Sequence, residues 1–313
     1  MGAPAIMTMG LHNSTLVYRY TLNNEYPPPM IEYAPVRWVA FVFAAVFPLL
    51  AARVLAAARA ARALWLCTAA LAPILLFVAL VLRGAMGRGT GDGDAFRMYE
   101  TQTVLHLCAG HALVGMLLAF AAKWIEIERQ AIVGVFLAHL SVAYSVVAVV
   151  CTCVGFPLAF DASEERRISG YRLVSAPLIV AIGMVLLAAT LALYHTDGKR
   201  HGDAGGAGQV GIIWLPAVLL AGWTSFALAR MSTTMYDAAN TSEALFYCLS
   251  VLPLAGALVA WTGHAEEFLG TGEGDADRGP GAAPCACGRK PVAGPCQECR
   301  YEASLLRAMA KYA

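Results

Sequence analysis

Three histidines, two carboxylates and four clustered cysteines are the residues of this chain best suited to chemistry. His106, His111 and His139 fall inside long apolar runs. An ionisable group in hydrocarbon costs roughly 3 kcal/mol unless it meets a partner or a wet cavity. His106 and His111 are five residues apart, about 140° around a helix, which is not the i, i+4 pairing of a helical metal site. Each ring is read either as lining a path for a ligand or as a neutral group hydrogen-bonded to a neighbouring helix. The stretch YDAANTSEALFYCLSVLP, residues 236–253, sets Asp237 and Glu243 at the head of another apolar run, with Arg230 just upstream. A carboxylate at headgroup depth, where the dielectric is reduced, attracts an amine. Alternatively, Arg230 and Asp237 form a loop ion pair and Glu243 complements a helix dipole.

The third cluster lies near the carboxyl end, in CACGRKPVAGPCQEC. There Cys285, Cys287, Cys296 and Cys299 form two close pairs. Three readings stand open: a tetrahedral structural zinc site, palmitoylation, or an unstructured tail. Cys67, Cys108, Cys151, Cys153 and Cys248 sit in apolar runs and are read as small apolar fillers.

The elements that must position these groups follow from composition. The 313 residues are 59% hydrophobic and 14% charged, with mean hydropathy +0.61. A soluble domain of this length needs more polar surface to cover its core, so the chain reads as an integral membrane protein. Lys plus Arg number 22 against 21 Asp plus Glu, which gives no basic excess for nucleic acid. Apolar stretches long enough to cross a bilayer fall near 37–56, 64–82, 102–122, 131–154, 173–193, 210–229 and 244–262. None alternates with a period of two, so helices rather than a barrel are predicted.

The expected fold is therefore all-α: a polytopic bundle of seven transmembrane helices over 37–262, preceded by an outer segment 1–36 without a cleavable signal. A Gly/Pro-rich, disordered cytosolic tail follows over 263–313. Cations at Arg53, Arg59, Arg62, Lys123, Arg129, Lys199 and Arg200 place the turns after spans 1, 3 and 5 in the cytosol. Arg83, Arg88, Arg97, Arg166, Arg167, Arg172 and Arg230, read as outer-loop residues, weaken that bias. Glycosylation sequons at Asn13 and Asn240 then favour an outer amino terminus. Five tryptophans, Trp261 among them, are read as interfacial anchors, and Trp223 as internal.

Over residues 35–265 the chain resembles the fungal lipid-translocating exporter family, which includes aminocholesterol-resistance and long-chain-base-resistance proteins. The matching positions are Arg230, Asp237, Glu243, Tyr247 and Pro253 around the last span, with Tyr99 and Gln102 opening the third. Ser250 stands where the family has an aspartate, and at the end of the second span only Arg83 of the family pattern remains. The resemblance implies a non-enzymatic plasma-membrane protein that binds, moves or regulates an amphipathic lipid, such as a sphingoid base or sterol-like compound. It makes Arg230, Asp237, Glu243, Tyr247, Tyr99 and Gln102, with the three histidines, the expected ligand-binding set. No resident cofactor is expected beyond the zinc reading of the tail. The alternative is a seven-span sensor that signals through a cytosolic partner of the tail. An intramembrane zinc hydrolase would need more His and Asp ligands than the spans offer.

Overall fold

The computed structural model describes residues 36–60, 69–86, 92–127, 131–161, 163–197, 206–232 and 242–269. Asn13, Asp237, Asn240 and the four tail cysteines lie outside them. Seven helices account for the described chain: α1 (Arg37–Ala60), α2 (Leu71–Ala85), α3 (Asp92–Ile127), α4 (Ala131–Leu158), α5 (Glu164–Asp197), α6 (Gly206–Ser232) and α7. The last begins at Glu243–Phe246, widens into a π-turn over Tyr247–Val251, and continues as Leu252–Leu269. No strand occurs among the described residues.

Six of these helices are long and apolar enough to cross a membrane. The seventh, α2, is apolar but has 15 residues; the residues before it, 61–68, include the start of the expected second span and lie outside the description. Apolar side chains cover the outside. Val142, Val146 and Val150 form an exposed stripe at four-residue spacing on α4, and Ile179, Leu186 and Val218 are also exposed. So much outward apolar surface suits lipid rather than water.

The boundaries correct the sequence reading at two places. α3 starts at Asp92 and α5 at Glu164, well before the expected 102 and 173. Their first turns carry charged residues, which hydropathy assigns to loops but which helix geometry tolerates. Glu164 and Glu165 occupy the first turn of α5, where acids complement the partial positive charge of the helix end. Hence Arg97, Arg166, Arg167 and Arg172, expected in loops, are helical, and Arg83 and Arg230 fall in the last turns of α2 and α6. Trp261 is a second correction. It is buried, stacks on Phe120 at 5.3 Å and donates its indole N–H to the Ile212 carbonyl at 3.1 Å.

Each helix packs on the next in sequence, α7 closes the ring against α1, and α3 runs through the middle, touching α4, α5, α6 and α7. In its most apolar stretch 78% of α3 is buried, against 28% of α4. Small residues make this centre possible. A Cβ at Gly110 of α3 would overlap the ring of Trp223 on α6, and one at Gly115 would overlap the Ser145 hydroxyl on α4. In α7 the π-turn ends beside Pro253. Proline offers no N–H to the carbonyl four residues back and crowds it. The wider turn bypasses that conflict, with Leu252 N–H donating to the Tyr247 carbonyl.

Candidate functional site

One end of the bundle gathers most of the polar side chains that the apolar interior contains. Arg83, in the last turn of α2, is 1% exposed. Its Nη2 donates to Glu243 Oε1 at 2.7 Å and its Nη1 lies 3.4 Å from Gln102 Oε1. The guanidinium also sits 3.8 Å above the Phe246 ring, with Arg230 on the same ring at 5.5 Å. Glu243 opens α7, where Ser242 caps the helix by accepting from Leu245 N–H. Tyr247 stacks on Phe43 of α1 at 4.8 Å. One ion pair therefore ties α2 to α7, and the aromatic shell around it extends the tie to α1 and α6.

Behind this tie lies His106 of α3, 2% exposed, with its Nε2 2.6 Å from the Ser250 hydroxyl of α7. His106 and Ser250 line a cavity together with Tyr99, Thr103, Tyr171 and Arg230. Leu107, Phe156, Phe160 and Met231 supply its apolar walls. About 30 Å³ is open to the centres of water molecules, where ~10–15 Å³ accommodates one. Thr103 Oγ1, His106 Nδ1 and Tyr171 OH have no hydrogen-bond partner in the structure. Buried polar atoms are normally paired, so three unpaired ones around one space mark it as a place for a polar guest.

The sequence-predicted residues divide accordingly. Tyr99, Gln102, His106, Arg230, Glu243 and Tyr247 come together at this end. His111 does not: it sits deeper on α3, its Nδ1 2.7 Å from Tyr144 OH and its ring edge-on to Trp223 at 5.8 Å. His139 lies on the outer face of α4, with Nδ1 2.8 Å from the Val135 carbonyl of its own helix, so it lines no interior path. Arg83, expected in a loop, lies in the last turn of α2 and pairs with Glu243. Asp237, Asn13, Asn240 and Cys285, Cys287, Cys296 and Cys299 are outside the described residues. Among the described residues no group of three or more His, Cys, Asp or Glu could hold a metal ion.

Sequence reasoning missed Thr103, Tyr171 and Ser250 as partners of the site. One signal was present: Tyr99, Thr103 and His106 recur at spacings of four and three, a polar stripe on one face of a helix. Tyr171 had none, because it lay in what hydropathy made a loop. Comparison with protein-family models, with curated proteins and with solved structures found no match.

Proposed function

We propose that this chain is a non-enzymatic plasma-membrane protein that takes the head of an amphipathic lipid into this cavity and moves it, or governs its movement, between leaflets. The cavity carries the reading. Unpartnered hydrogen-bonding groups meet apolar walls within helices whose outer faces are made for lipid. An amphipathic lipid presents the same division, and it is the solute most abundant at that depth. The resemblance to lipid-translocating exporters supports the same reading, and of the positions it implies Tyr99, Gln102, His106, Arg230, Glu243 and Tyr247 lie at this end. On the topology with an outer amino terminus, the cavity opens toward the exoplasmic leaflet. Glu243 contributes by holding α7 to α2 rather than by docking an amine, since Arg83 already engages it at 2.7 Å.

The test is reconstitution of the purified full-length protein into vesicles carrying fluorescent sterol, sphingoid-base or phospholipid analogues in the inner leaflet. Arrival at the outer leaflet is followed with an added quencher. At least one analogue is expected to cross faster than in protein-free vesicles, and Thr103→Val should slow it about threefold, the worth of one hydrogen bond. Val218→Ala, on the lipid-facing surface, should leave the rate unchanged. Rates equal to those of protein-free vesicles for all three analogues refute the proposal.

A further inference from the structure

Building on that reading, we infer that the cavity takes an uncharged hydroxyl head, as in a sterol or an N-acylated sphingoid base, in preference to a cationic amine. The groups awaiting a partner are Thr103 Oγ1, His106 Nδ1 and Tyr171 OH, and Thr103 and His106 are 6% and 2% exposed. Two are hydroxyls, which both donate and accept. The third is an imidazole nitrogen whose role follows its neighbour: when Ser250 donates to Nε2, Nδ1 carries the proton and donates, and in the other tautomer it accepts. A guest hydroxyl both donates and accepts, so it satisfies this set in either arrangement.

An ammonium only donates, and it brings a charge that needs a counter-charge once it leaves water. Among the described residues no carboxylate lines the cavity, and the one charged residue that does, Arg230, is a cation. The acid closest in sequence to the lining residue Ser250, Glu243, is already paired with Arg83. Size points the same way: about 30 Å³ open to water centres accommodates one or two hydroxyls, not a phosphocholine or a sugar. Phe156, Phe160 and Leu107 complete the wall where the first carbons of the lipid would rest.

Equilibrium binding to the full chain in nanodiscs tests the inference. The probes are a radiolabelled 3-hydroxysterol, its 3-amino and 3-deoxy analogues, and, as a second hydroxyl source, ceramide against the free sphingoid base. At least one hydroxyl lipid is expected to bind saturably, about tenfold or more tighter than its amine counterpart, and the arm that does so identifies the source. Thr103→Val and Tyr171→Phe should each weaken the hydroxyl probe about three- to tenfold, as loss of a single hydrogen bond does. Neither should change binding of the deoxy analogue, and both proteins should keep the wild-type melting temperature or exceed it. Equal or tighter binding of the amine, indifference to both substitutions, or no saturable binding by either hydroxyl lipid overturns the inference. Binding with hydroxyl preference but no transbilayer movement overturns the transport reading alone. Movement with amine preference overturns the headgroup inference alone.

Discussion

His106 and His111 share a helix, are both buried, and both hydrogen-bond a hydroxyl on a neighbouring helix, yet their surroundings differ. Around His111, Trp223 and Tyr144 stand edge-on at 5.8 and 5.9 Å, and Gly110 lets the indole press against the backbone of α3. Around His106 there is open space, two further unpaired polar groups and Arg230. His111 Nε2 and Trp223 Nε1 lack a hydrogen-bond partner too, but neither residue lines the cavity; the first region is a packed contact that uses a histidine, and the second is a cavity with hydrogen-bonding walls. A histidine within a membrane helix is thus informative only together with the room beside it.

Four single substitutions and one double replacement test that contrast. The largest effect belongs to the Arg83–Glu243 tie between α2 and α7. Glu243→Ala leaves Arg83 buried without its carboxylate, which should cost roughly 3–5 kcal/mol, read as a fall in melting temperature of the detergent-solubilised protein. Replacing both partners, Arg83→Met with Glu243→Leu, should recover most of that loss, so reduced lipid movement in the single variant would report folding rather than docking. Next comes Gly110→Ala, whose added methyl must displace Trp223 and should cost about 1–3 kcal/mol. Binding of lipid by the protein that remains folded should persist, because neither Gly110 nor Trp223 lines the cavity. Tyr144→Phe removes the partner of His111 and should cost around 1–3 kcal/mol. Its transport defect, measured per folded molecule, should be small. Thr103→Val has the smallest effect on stability and the opposite sign: removing a hydroxyl that has no partner should leave stability unchanged or raise it by up to ~1 kcal/mol. If Thr103→Val destabilises as Tyr144→Phe does, the two regions are alike and the contrast fails.

The helices were legible because the apolar segments are rich in Ala, Leu, Val and Phe, and six of them are long and apolar enough to cross a membrane. What hydropathy averages away is the charged first turn. Glu164-Glu165-Arg166-Arg167 continues α5, and it brings Tyr171 into the interior. The Arg83–Glu243 pair joins residues 160 apart, and no local pattern reports such a contact. The family resemblance drew attention to Glu243, Tyr247, Tyr99 and Gln102, which do assemble at one end. It also made Ser250 read as the loss of an acid, whereas the serine holds the imidazole that faces the cavity. His139 was singled out by residue type alone, and type says nothing of which side of a helix looks outward.

The π-turn in α7 has a consequence for what this chain can tolerate. It contains one residue more than an ordinary turn, so everything before Tyr247 is rotated by about 100° relative to a regular helix running back from Leu252. Deleting a single residue from Tyr247–Val251 would restore the regular helix and swing Glu243 and Phe246 away from Arg83. A frame-preserving loss of one codon within these five would therefore unfasten α2 from α7 while leaving overall hydrophobicity nearly the same and every polar residue outside that turn in place.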